Sequence, residues 1–318
     1  MPGLLAVIEL NFDPLLRLAG MTIRWQTIGV TIGLLVAFAV AALMAPDVRG
    51  QRPFFQRREP DLRPLFPQTP KVEQAHRVRS LRLDDMLLII AGIVPGAVVG
   101  GRAFHGLDYW LFYANQPEKL LDPSVGSLSL LGAVIGGLVT GSYMARVIDA
   151  PVRRWADAAA VPLLLALGIG KLAQLLGGSG QGLPFDGGWA VAFTGAGPWV
   201  STSPQMPSHP AQVYEGLWML AGIPIMLLLA GQRHRPLRVN RWVAWADRTA
   251  REGALFAGAL GWFLLGRLVV GYTWRDEPIV GGLNVEQTLA LIALMLTLLT
   301  YGVLHYRSER RRPKDSVA

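Results

Sequence analysis

Seven stretches of this chain are each long and apolar enough to cross a lipid bilayer as a single helix, which leaves few folds open to it. They fall at roughly 24–45, 86–104, 127–146, 158–177, 211–231, 252–272 and 284–305. The chain is 52% hydrophobic and only 16% charged, with a mean hydropathy of +0.35, so these runs are not the cores of soluble domains. The expectation is an all-α, polytopic membrane protein forming one integral membrane domain over 1–318. Its non-spanning parts are a basic, Pro-rich loop at 46–85, a Gly-rich loop at 178–210 and a basic tail at 306–318. Residues 1–23 read as a short amphipathic stretch whose Phe12, Leu15, Leu16 and Leu18 lie on the membrane surface.

Basic residues set the orientation. The segments 46–85, 146–157, 232–251 and the tail after 305 carry 23 Lys and Arg, whereas the alternate segments carry four. This asymmetry predicts the N-terminus outside and the C-terminus in the cytoplasm. It also accounts for the net charge of +8 without a nucleic acid, since Arg57-Arg58 and Arg310-Arg311-Arg312 serve as topology signals and contacts to anionic lipid. The loop 232–251, with Trp242 and Trp245 among arginines, suits an interfacial helix. Met1–Leu10 has neither the basic start nor the apolar core of a cleavable signal, so the first span is expected in the mature protein.

Three cations remain, and all lie inside spans: Arg102, Lys171 and Arg267. A charge at the centre of a membrane helix costs about 2.5–3.5 kcal/mol on insertion scales, so such residues usually line a polar site. The predicted orientation puts all three in the outer half of the membrane. Glu215, one turn inside the fifth span, joins them there beside Tyr214 and just after His209. The plain alternative is that each long side chain snorkels to the interface alone. The coincidence of four ionisable groups at one level favours a shared site for an anion, such as a phospholipid head group.

Other chemistries find little support. The chain has no Cys, which excludes disulfides, thiolate metal sites and a Cys nucleophile of its own. Its five His lack metal-ligand spacing, so no metal or other cofactor is expected. Gly168-Ile-Gly-Lys171 ends in Leu172 and is no phosphate loop. The repeats Gly132-x-x-x-Gly136 and Gly137-x-x-x-Gly141 read as close helix contacts.

In order along the chain, several segments resemble the prolipoprotein diacylglyceryl transferase family. Ile23-Arg-Trp25, Gly100-Gly-Arg102, Ser129 through Gly137 and Gly170 through Gly182 are similar to its successive motifs. The run His209-Pro-x-Gln-x-Tyr-Glu215 is the most specific match, and Gly266-Arg267 resembles its sixth-span Gly-Arg. The resemblance implies a bacterial cytoplasmic-membrane enzyme whose substrates are phosphatidylglycerol and prolipoprotein signal peptides with a lipobox cysteine. Thiolate would attack the glycerol carbon that carries the phosphate, and glycerol phosphate would leave. It implies catalytic roles for Lys171, Arg267, His209 and Glu215, and lipid contacts from Arg102, Lys171, Gln174, Gly178, Gln212, Tyr214 and Arg267.

The chain departs from the family pattern at several of these places. Leu131 stands where the family has a functional histidine, Gln26 where it has a tyrosine, and Gly271 where it has a glutamate. In the signature, Lys171, Gln174, Gly177 and Ser179 replace Arg, Asn, Asn and Glu. Leu131 cannot move a proton, and Lys171 cannot offer a two-pronged fork to phosphate. The base is therefore open among His105, His209, Glu215 and a free thiolate. Two readings follow: transfer, or binding of anionic phospholipid or lipoprotein precursor without transfer. A transporter is a weaker third, because the inner halves of the spans show few polar positions and no internal duplication is visible.

Overall fold

The computed structural model describes residues 7–18, 21–44, 83–122, 128–232 and 252–310. The expectations for 46–82, for 233–251 with Trp242 and Trp245, and for the tail beyond Arg310 lie outside the described residues. Among the described residues, seven helices are long and apolar enough to cross a membrane: α1 (Trp25–Met44), α2 (Leu83–Asp108), α4 (Leu130–Val147), α5 (Val152–Gln174), α6 (Ala211–Gln232), α7 (Ala254–Val270) and α8 (Val285–Arg310). A short α3 (Trp110–Asn115) follows α2. Helix α2 runs several residues beyond its expected limits at both ends. Asp84 and Asp85 begin it as first-turn acids, and Pro95 is carried inside it.

The chain divides into two compact units, one of residues 42–158 and the other of 1–41 with 159–318. In the first, α2 and α4 pack antiparallel along a stripe of glycines. A Cβ on Gly100 would lie 2.9 Å from Gly136 Cα, and one on Gly136 would collide with the Gly96 carbonyl. Close backbone approach of this kind drives helix association in membranes, where burial of apolar surface supplies no force. Ser129 caps α4, its hydroxyl accepting from the Gly132 amide at 3.3 Å. Leu131, in the first turn of α4, is wholly buried. Gly136→Ala should therefore cost about 1–3 kcal/mol by overpacking. Gly170→Ala on α5, where nothing lies within 4 Å of the new methyl, should be neutral or stabilising by up to about 1 kcal/mol. Thermal unfolding in detergent compares the two.

The second unit holds α1, most of α5, and α6 to α8. Gly29 and Gly33 of α1 face Ala173 and Ile169 of α5 closely enough that a Cβ would collide. Trp218 on α6 and Trp262 on α7 stack with centroids 4.8 Å apart. Each indole N–H donates to the other's carbonyl, at 2.9 and 2.7 Å, which satisfies both polar groups and fixes the register of the two helices.

The N-terminal stretch, expected as a short amphipathic segment, takes extended form. It folds as β1 (Ile8–Leu10), β2 (Leu15–Leu18) and β3 (Met21–Arg24), the last two forming an antiparallel hairpin. β1 instead pairs in parallel with β4 (Val191–Phe193), which is buried within the 178–210 loop. Phe12 packs edge-on against Trp199 of that loop, 5.1 Å between centroids. Apolar residues in this stretch thus have a protein surface to bury against, which helical amphipathicity alone does not reveal.

Candidate active site

The site begins with two glycines. Gly168 on α5 and Gly216 on α6 meet where the helices cross antiparallel: a Cβ on either would lie 3.1–3.2 Å from the other's carbonyl and under 3 Å from leucine side chains. That near-backbone contact sets the residues beside it within bonding reach. Lys171 Nζ lies 2.7 Å from Glu215 Oε2. Arg267, in the last turn of α7, donates from one terminal nitrogen to both carboxylate oxygens of Glu215, at 2.9 and 3.0 Å. Its other terminal nitrogen pairs with Glu286 in the first turn of α8. Trp274, just beyond α7, lies across the guanidinium with its ring centroid 3.9 Å from Cζ, and 6.0 Å from Lys171 Nζ. All four helices contribute from the same end of this unit.

Glu215 is 1% exposed and Arg267 4%. Such charges are tolerated only because each is paired, and removing a partner from a buried pair is strongly destabilising. The cations of the sequence reading are thus not free in the site: Glu215 already binds Lys171 and Arg267 together. Asp276 adds a third carboxylate around the pair. It is open to solvent on one side, and packing on the other pushes its carboxyl up from the usual range, against the pull of Arg267 and Lys171.

One turn toward the helix ends lies a second, uncharged rung. Gln174 follows Lys171 by three residues and Gln212 precedes Glu215 by three. Both flank Gly180: a Cβ there would lie 3.1 Å from Gln174 Oε1 and 3.4 Å from Gln212 Cβ. Gln174 Oε1 and both polar atoms of Gln212 are buried and find no partner among the described residues. Unmatched buried carboxamides cost stability unless something else satisfies them.

Beyond the rungs is an aromatic group. His209 stacks on Phe185 at 4.0 Å, and its Nδ1 lies 3.2 Å from the Tyr214 hydroxyl. Trp189 donates to that hydroxyl at 2.7 Å, so the tyrosine oxygen joins Trp189 to His209. Burial lowers the proton affinity of His209, which favours the neutral ring. Gly178 adopts φ +75, with Trp199 3.1 Å from where a Cβ would be; it shapes the turn rather than contributing a side chain. Arg275 holds this loop down, donating to the Gly182 carbonyl at 2.7 Å and to Ser208 Oγ at 2.9 Å.

The structure therefore brings together Lys171, Gln174, Gln212, Tyr214, Glu215, His209 and Arg267 on neighbouring turns of one unit. Arg102 belongs to the other unit, where its guanidinium donates to the main-chain carbonyls of Leu120 at 2.6 Å, Lys119 at 3.0 Å and Asp122. Two family departures are neighbours: Ser179 Oγ donates to Gln26 Oε1 at 2.7 Å. Sequence reasoning missed Trp274, Asp276 and Glu286. Their signal, an aromatic and acids flanking the last two spans, does not differ from ordinary interfacial and helix-start residues.

Fold and site together define a seven-helix membrane protein with a buried lysine–glutamate–arginine cluster at one end of its helices. The sequence profile of the prolipoprotein diacylglyceryl transferase family matches residues 69–303, and the chain belongs to that family. Among its relatives, a phosphatidylglycerol–prolipoprotein diacylglyceryl transferase of Geobacter sulfurreducens is 30% identical over 164 residues, 51% of this chain and 60% of the relative. The transferase of that name from Trichormus variabilis is 27% identical over 229 residues, 71% and 75% of the two chains. The one from Streptococcus sanguinis is 24% identical over 308 residues, 95% and 98% of the two chains.

Proposed function

We propose that this chain transfers the diacylglyceryl group of phosphatidylglycerol to the cysteine thiol of a prolipoprotein lipobox, in the outer leaflet of a bacterial cytoplasmic membrane. Family membership supplies the reaction class, and the observation that carries the site assignment is the Lys171–Glu215–Arg267 cluster beside unmatched Gln174 and Gln212. The 23-to-4 distribution of basic residues supports an outer-face position for this end of the helices. Sulfur attacks the glycerol carbon that carries the phosphate. A C–S bond forms, the C–O bond to phosphate breaks, and glycerol phosphate departs with the bonding pair. Charge developing on the leaving oxygen is stabilised by the preorganised cations of the cluster. The two carboxamides satisfy uncharged polar groups of the lipid.

The thiol proton needs an acceptor, and Leu131 is none. Glu215 is held as a carboxylate by two cations and serves as their counter-charge. His209 is stacked on Phe185 and hydrogen-bonded to Tyr214 through Nδ1. Asp276, a solvent-reachable carboxyl that interacts with both Arg267 and Lys171, is the acceptor we assign; burial raises its pKa and so sets where it ionises. A raised pKa means that Asp276 stays protonated to a higher pH than an ordinary Asp. Transfer should therefore climb with pH through that raised value, and Asp276→Asn should remove this limb from the kcat/KM profile.

The test of the function is direct: purified protein, phosphatidylglycerol and a lipobox peptide should yield glycerol phosphate and a peptide heavier by one diacylglyceryl group. Lipid binding without either product would favour the binding-only reading that Leu131 suggests.

A further inference from the structure

We infer that Glu286 is a positioning residue for the transfer reaction: with Glu215 and Trp274 it fixes Arg267 in place, leaving Lys171 as the cation whose free donors meet the anionic head group. The inference rests on the transferase reading above and divides the labour within its cluster.

Arg267 has little left to give. One terminal nitrogen serves both oxygens of Glu215, the other pairs with Glu286, and Trp274 covers the guanidinium face. Its Nε–H has no partner among the described residues and is buried. A phosphate could take the arginine fork only by displacing a carboxylate. Lys171 differs on each count. Its ammonium has three donors, of which one meets Glu215, and its side chain is 11% exposed against 5% for Arg267.

Glu286 is placed by a dedicated piece of structure. Asn284 and Gln287 cap the start of α8 reciprocally: Gln287 N donates to Asn284 Oδ1 at 2.8 Å, and Asn284 N to Gln287 Oε1 at 3.1 Å. Gln287 Nε2 then donates to the Leu268 carbonyl at 2.8 Å, tying the first turn of α8 to the last turn of α7. Gly271 makes room for that tie, since a Cβ there would lie 2.5 Å from Gln287 Cγ and 2.8 Å from Nε2. Glu286 immediately precedes Gln287 on this docked turn, and its carboxylate reaches Arg267. Four contacts thus converge on the orientation of one guanidinium.

The experiment is steady-state transfer with phosphatidylglycerol vesicles and a lipobox peptide, comparing wild type, Glu286→Gln, Glu286→Asp and Lys171→Gln. Loosening Arg267 by about an ångström should lower kcat by roughly ten- to a hundredfold. In Glu286→Gln this loss should come with KM for the lipid within about twofold of wild type, because Lys171 still makes the ground-state contact. Lys171→Gln should raise that KM by about tenfold, the loss of one charge-assisted bond. Wild-type kcat in Glu286→Gln, or a loss carried wholly by KM, overturns the inference. If Glu286→Gln does not fold, Glu286→Asp is read instead: its shorter carboxylate draws Arg267 away, and wild-type kcat there has the same force. A wild type that transfers nothing would count against the proposed function, not against this division of roles alone.

Discussion

Glu215→Gln is expected to destabilise the protein by about 3–5 kcal/mol, the cost of leaving buried charge uncompensated. The substitution keeps shape and volume, so what changes is the charge between Lys171 and Arg267, both of which Glu215 bonds within 3.0 Å. Arg267 retains Glu286, whereas Lys171 loses the one carboxylate that it contacts directly. The loss should therefore shrink when the lysine is neutralised as well: Lys171→Met with Glu215→Gln should recover part of the single variant's deficit. Thermal unfolding in detergent micelles at fixed lipid concentration measures both. An unchanged midpoint for Glu215→Gln would mean that the cations are solvated and that the buried cluster is not the organising feature of this end of the helices.

The second large effect is on catalysis. Removing a preorganised group that stabilises a developing oxyanion costs about 10²–10³-fold in rate. Lys171→Ala should lower kcat/KM by that much, acting on lipid binding and on the leaving phosphate together. Arg267→Ala should match it by a different route. It leaves Glu215 and Glu286 facing one another without the guanidinium that joins them, so Lys171 is drawn away from the lipid toward excess carboxylate. Restoring Arg267→Lys should not recover the rate, because an ammonium cannot bridge two carboxylates in a fixed plane or lie flat on Trp274.

Much of this architecture was legible in the sequence because membrane insertion writes strong signals. Apolar length gave the seven helices, and charges placed at intolerable depth marked Lys171, Arg267 and Glu215, with Arg102, as candidates for one shared site. The segment His209 to Glu215 carried the most specific resemblance, and it does supply the polar face of α6. Other features depended on contacts between distant segments. The parallel pairing of Ile8–Leu10 with Val191–Phe193 joins residues some 180 positions apart, and no local periodicity announces it. That Glu215 neutralises both cations follows from the close crossing at Gly168 and Gly216, whose glycines alone read as packing. Glu286 was hidden for a related reason: an acid in the first turn of a helix is ordinary, and only the docking of α8 through Gln287 and Gly271 turns it toward Arg267. Arg102 showed the same depth signal as the other two cations, yet its guanidinium donates to three main-chain carbonyls of the segment after α3. Depth identifies a buried cation without revealing whether main chain or ligand receives its hydrogens.

The most direct test of the central claim follows both products of one reaction in wild type and in a Lys171→Ala, Arg267→Ala double variant. Purified protein is incubated with phosphatidylglycerol vesicles and a lipobox peptide, glycerol phosphate is quantified, and the peptide mass is recorded at the same times. The account predicts equimolar glycerol phosphate and diacylglyceryl-peptide from wild type, with both products reduced together by at least about 10²-fold in the double variant. Equal rates in the two proteins, or glycerol phosphate released without modified peptide, would contradict it.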